Sequence, residues 1–154
     1  MSRYDKYDPY SGGFRAVLAA DFGYTAGKPD RAHADLGKLF AVGVSTSGLL
    51  GKFDSVTTFT NFVGVMILTS PKAAGDTVDV ITSGEITELV DAEIKTADTL
   101  AAGQNLYADT TAASAGKLTT TATAMRKVGF TLELNATSGK ARLVVRVQTS
   151  GTGA

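Results

Sequence analysis

Two stretches of this chain are variants of one pattern. Residues 62–81 read FVGVMILTSPKAAGDTVDVI, and residues 127–147 read KVGFTLELNATSGKARLVVRV. Each opens on an apolar strand carrying Val-Gly, passes through a loop containing Gly, and closes on a second strand. Gly64 aligns with Gly129. Val63, Val65 and Ile67 align with Val128, Phe130 and Leu132, and Val78 and Val80 with Leu143 and Val145. The loop glycines Gly75 and Gly139 match after a slip of one residue. Two copies are too few for a solenoid. They suit a small β-barrel or sandwich that contains two similar hairpins.

The remaining segments support an all-β fold. Residues 36–44 turn apolar, 76–82 and 85–90 read as further strands around a turn at Ser83-Gly84, and 103–108 and 117–121 as short ones. Gly-, Ser-, Thr- and Asp-rich loops separate them, as in all-β chains. In the second copy, Val128, Phe130, Leu132 and Leu134 alternate with Lys127, Thr131 and Glu133. That predicts one core face and one wet face. Residues 30–38, DRAHADLGK, predict at most one helical turn capped by Asp30.

The copies differ on the other face. Phe62, Met66 and Leu68 stand where the second copy has Lys127, Thr131 and Glu133. Three coverings fit: the first 35 residues, a neighbouring subunit, or burial of the strand on both faces within its own fold. On the subunit reading, Met66→Asp disrupts assembly more than Thr131→Asp.

The first 35 residues have a composition of their own. Six of the twelve aromatic residues lie in positions 1–24: Tyr4, Tyr7, Tyr10, Phe14, Phe22 and Tyr24. Pro and Gly punctuate them, which argues against a long helix. Tyrosines at every third position share one edge of a polyproline-II segment, and Tyr supplies contact area at low entropic cost. The expected organisation is an extended arm over 1–35 that docks on a partner, a β-domain over 36–150 and a short flexible end over 151–154. Deleting residues 1–24 is then expected to leave the domain folded.

Charge and chemistry are uninformative by comparison. Fifteen basic and fifteen acidic residues cancel in 154, so no basic field exists to hold nucleic acid. The apolar run at 62–68 is far short of a membrane span, and no targeting segment is visible. Cysteine is absent, which removes disulfides, thiolate nucleophiles and Cys-ligated zinc. Acidic residues crowd 76–98 and basic ones 126–146, an arrangement able to steer head-to-tail contacts between subunits or merely to solvate two faces. The single histidine, His33, has Asp30 and Asp35 nearby but no GxSxG elbow anywhere. The stretch Gly48 to Lys52 fails the Walker pattern, since Thr46 and Phe53 stand at positions that need Gly and Ser or Thr. No enzyme, metal site or cofactor is expected.

A resemblance adds what chemistry does not. Ala101-Ala102-Gly103-Gln104 leads into Leu106-Tyr107-Ala108-Asp109; Gly116-Lys117-Leu118-Thr119, Val128-Gly129-Phe130 and Val145-Arg146-Val147 follow. With Val63-Gly64-Val65, Gly75-Asp76 and Val78-Asp79-Val80 upstream, residues 60–148 resemble the head decoration, or capsid cement, proteins of tailed bacteriophages. The resemblance implies a non-enzymatic virion protein made in the host cytoplasm. It implies attachment to the outer capsid surface at junctions of the major capsid protein, often as a trimer, bracing the shell against the pressure of packaged DNA. A tail or baseplate β-domain and a carbohydrate-binding β-module are the competing readings. The expected partner contacts are Tyr4, Tyr7, Tyr10, Phe14, Phe22 and Tyr24 on the arm, and Phe62, Met66 and Leu68 on the first hairpin.

Overall fold

A computed structural model describes residues 12–86, 91–92, 100–122, 126–135, 137–138 and 140–148. Its strands are β1 (Gly13–Val17), β2 (Tyr24–Thr25), β3 (Lys28–Pro29), β4 (Lys38–Val44), β5 (Leu50–Lys52), β6 (Asn61–Ile67) and β7 (Thr77–Ile81). They continue with β8 (Ser83–Glu85), β9 (Asp91–Ala92), β10 (Asn105–Ala108), β11 (Leu118–Thr119), β12 (Lys127–Leu134) and β13 (Ala141–Arg146). The protein is all-β. One sheet runs β1-β7-β6-β4-β5 with β9 beside β4, a second runs β11-β10-β12-β13-β8, and β2 and β3 form a separate hairpin. Every pair is antiparallel except β4 with β9. The two similar hairpins, β6–β7 and β12–β13, lie one in each larger sheet.

Neither sheet closes into a barrel, but the first one rolls. Just past β1, Leu18 bridges to Leu50 of β5, at the opposite edge of the sheet. The Ala19 N–H donates to the Leu50 carbonyl at 2.9 Å. Inside the roll lie Leu18, Phe22, Phe40, Val42, Leu50, Met66, Leu68, Val78 and Val80. Its outer face packs on the second sheet. There Leu39, Ala41, Phe53, Phe62 and Val65 meet Leu106, Leu118, Val128, Leu143 and Val145. The sequence of β4, KLFAVGV, is apolar almost throughout because both faces are inside. Leu39 and Ala41 face the sandwich, and Phe40 and Val42 face the roll.

The matched glycines share one physical role. A Cβ on Gly64 would lie 2.7 Å from the Ile81 carbonyl oxygen, and one on Gly129 would overlap the Val144 carbonyl. In both hairpins the Val-Gly step marks where the partner strand comes too close for a side chain. Registers differ: Val65 faces Ile81, while its counterpart Phe130 faces Val144, two residues short of the matching position. A slip of two keeps every side chain on its face, whereas a slip of one reverses them all.

The segment expected as a free arm belongs to the fold from residue 13 onward. β1 pairs with β7 from Gly13↔Ile81 to Val17↔Thr77. Leu18 and Phe22 are buried, and Ala16 and Leu36 pack against the same cluster. A deletion of residues 1–24 would therefore open the roll rather than spare the domain. The expected helical turn at 30–38 is instead a run of turns. Asp30 still caps it, accepting from the Ala32 N–H at 2.8 Å. Ser83-Gly84 is not a turn but β8, which pairs with β13 and carries the chain from one sheet to the other.

The strand with the cleanest alternation in sequence is the one whose faces change. Thr131 is fully buried and Leu132 is 42% exposed, the reverse of the pattern. Register shifts fall between Leu106 and Tyr107 of β10, opposite β12, and between Thr131 and Glu133 on β12 itself. Each bulge takes one residue out of the ladder and turns the following side chains over.

Candidate partner-binding surface

The nine expected contact residues separate by burial. Tyr4, Tyr7 and Tyr10 lie outside the described residues. Phe14 is 42% exposed on β1, and Tyr24 is half-buried in β2. Phe22 is an interior residue: its ring meets Phe40 edge-on at 6.2 Å, and the Lys52 ammonium lies 4.6 Å from the Phe40 centroid. Lys52 also reaches the Asp35 carboxylate at 3.4 Å, which ties β5 to the turns before β4. Phe62, Met66 and Leu68 are buried as well. Phe62 packs in the sandwich with its ring 5.3 Å from that of Phe53. Met66 and Leu68 point into the roll beneath Leu18 and Phe22. Met66 and Leu68 of the apolar second face are thus covered by the chain's own N-terminal segment, and Phe62 by the sandwich core. Four of the expected contacts, Phe22, Phe62, Met66 and Leu68, are off the free surface.

The charge zones also meet within the chain. Arg142 on β13 lies 3.5 Å from Glu133 and 3.6 Å from Glu85 of the neighbouring β8. His33 is occupied locally, its Nδ1 accepting the Asp35 N–H at 3.0 Å. Among the described residues, no group of three or more His, Asp or Glu is placed to hold a metal ion, and no helix is long and apolar enough to cross a membrane. A cavity of about 280 Å³ opens between β6 and β7, rimmed by Arg15, Lys72 and Asp79. It is small for a ligand site.

A feature not singled out in sequence is a pair of joined loops, residues 54–60 and 109–116, whose exposed residues form a tip. Asp54 and Asp109 are nearly inaccessible, at 4% and 3%, and each turns its carboxylate onto its own loop. Asp54 accepts from the Val56 N–H at 2.9 Å, the Thr57 N–H at 2.6 Å and the Thr57 hydroxyl at 2.6 Å. Asp109 accepts from the N–H and hydroxyl of Thr111, both at 2.7 Å. The Ser55 hydroxyl joins the loops by donating to the Thr110 carbonyl at 2.8 Å. The Phe59 ring lies against Gly51, where a Cβ would strike it. At the tip, Val56 is 69% exposed. The only sequence signal was an Asp followed within three residues by Thr at the head of each loop, the pattern of side-chain turns.

These contacts make the tip acid-sensitive. Burial pushes the Asp54 carboxyl up, but the Thr57 hydroxyl, the Thr57 N–H and the Val56 N–H together hold it below its ordinary value. The Thr25 hydroxyl and the Ala32 N–H do the same to Asp30. The unfolded chain then binds more protons than the folded one between the lowered and ordinary values. The stability these groups contribute is complete above the ordinary Asp value of about 3.9 and is lost as pH falls toward the lowered ones. Thermal midpoints measured from neutral to strongly acidic pH should fall less steeply for Asp54→Asn than for the wild-type chain. Parallel curves would show that Asp54 contributes nothing to acid sensitivity.

A family model described as phage cement protein matches residues 31–148. No curated protein matches the chain.

Proposed function

The chain belongs to the phage cement protein family, and on that basis we propose that it binds the outer surface of a phage capsid, on the major capsid protein, and stabilises the shell. The match over residues 31–148 carries the reading. It spans both larger sheets except β1, and leaves out Leu18 and Phe22 of the roll. Filled interiors on both faces of the first sheet suit a brace, which has to resist deformation rather than turn over a substrate. Residues 1–30 lie outside the match and include all six N-terminal aromatics. Within them Tyr4, Tyr7, Tyr10 and Phe14 supply an attachment, with a trimer as the bound form.

Sedimentation with empty shells of the parent phage, stripped of this protein, tests the reading. The full chain should pellet with shells and raise their disruption temperature. Removing residues 1–11, which leaves β1 in place, should keep the thermal midpoint and weaken attachment about tenfold, as loss of a Tyr-rich contact does. A full chain that stays in the supernatant would overturn the capsid reading. Full occupancy by the truncated chain would overturn the arm. Sedimentation equilibrium reads the trimer directly.

A further inference from the structure

The paired loops at residues 54–60 and 109–116 are hydrogen-bonded in place and, past their aspartates, uncharged. Aspartate is among the residues least often buried, and taking a carboxylate out of water is costly unless hydrogen bonds replace its hydration. Here two aspartates are buried at 4% and 3% exposure, and both hold exposed loops in shape. Beyond them neither loop carries a charged residue: the sequences run SVTTFT after Asp54 and TTAASAG after Asp109. Val56, Thr57 and Thr58 of one loop, and Thr111, Ala112 and Ala113 of the other, are exposed. A lone surface valine needs no explanation. A valine at 69% exposure on a loop immobilised by a buried carboxylate is a pre-organised contact, since fixing the loop in advance lowers the entropic cost of docking.

We infer that this two-loop tip is a second capsid-attachment site, inserting Val56 and its Thr and Ala neighbours into an uncharged depression on the shell protein. The inference rests on the capsid reading above. Nucleic acid is a poor fit because residues 54–60 and 109–116 contain no cation to offer a phosphate. A second copy of this chain is a poor fit at the cavity between β6 and β7, whose rim holds Lys72 and the Arg15–Asp79 ion pair at 3.1 Å, charges an uncharged tip would bury without replacing their hydration. A depression on the shell meets both conditions.

The test uses Val56→Glu and Ala113→Glu in the full chain against the same stripped shells. Both side chains are exposed, so thermal midpoints should match the wild type, while shell affinity falls about tenfold or more for each. Leu132→Glu, at an exposed site on β12, should bind as the wild type does. If the wild-type chain fails to bind shells, the capsid reading and this inference fall together. If the wild type binds and both tip variants bind equally well, the inference alone is overturned. A tip variant that changes the oligomeric state and leaves shell affinity intact overturns it too, by assigning the tip to contacts between copies.

Discussion

Met66→Asp and Thr131→Asp should each leave no stably folded protein at room temperature. Met66 is 1% exposed inside the rolled sheet, and Thr131 is 0% exposed in the second sheet. The Thr131 hydroxyl has no hydrogen-bond partner among the described residues, so its surroundings offer little to a carboxylate. An unpaired charge in such a site costs several kcal/mol, or forces the group to stay protonated. That is comparable with the roughly 5–15 kcal/mol that holds a whole domain together. The alternation of β12 predicts a mild Thr131 variant on a wet face and a Met66 variant that fails in assembly. The bulges of β12 and the covering of β6 by Leu18 and Phe22 replace that contrast with two folding defects. Circular dichroism and soluble yield read the result. A soluble Met66→Asp chain with the wild-type melting temperature would show that Met66 lies on an accessible surface after all.

Phe53→Ala should cost about 3–5 kcal/mol, the range for truncating a fully buried aromatic residue. Phe53 is 0% exposed just past β5. Its ring stands edge-on to Phe62 at 5.3 Å and 62°, with the Arg126 guanidinium 5.3 Å away. Its N–H donates to the Ala41 carbonyl at 3.0 Å, and its carbonyl accepts from the Gly116 N–H at 2.9 Å. The side chain therefore fills the sandwich where the two sheets and both tip loops converge, a place with no spare backbone to collapse into the void. At about 2–4 °C per kcal/mol for a chain of this size, the melting temperature should drop by roughly 6–20 °C. Denaturant unfolding checks it. A loss under about 1 kcal/mol would mean the cavity closes by repacking.

Much of the architecture was legible in the sequence because it rests on local periodicity. β4, β6, β7, β10 and β13 fall where apolar runs and alternation put them, and the Val-Gly repeat marks both hairpins. Three things were not legible, each for a reason tied to distance along the chain. Burial of Phe22 depends on Phe40 and Lys52, so an aromatic core residue looked the same as an aromatic contact. The face reversal in β12 depends on bulges set by β10 and β13, and alternation alone carries no sign of a bulge. The tip depends on Ser55 reaching Thr110, 55 residues on. Phe14, on β1, is an exposed aromatic residue of the N-terminal segment.

The bridge from Leu18 to Leu50, and the pairing of β1 with β7, impose an order of assembly on a growing chain. Strand β1 is made early yet has no partner until residues 77–81 have been added. At cellular rates that interval is roughly 3–13 s for the 64 residues separating Arg15 from Asp79. During it Leu18 and Phe22 lack the Val78 and Val80 side of their core, so the start of the protein locks only once the middle of the chain has been made. A ribosome that stalls before β7 would present those residues, unshielded on that side, to chaperones and to other nascent chains.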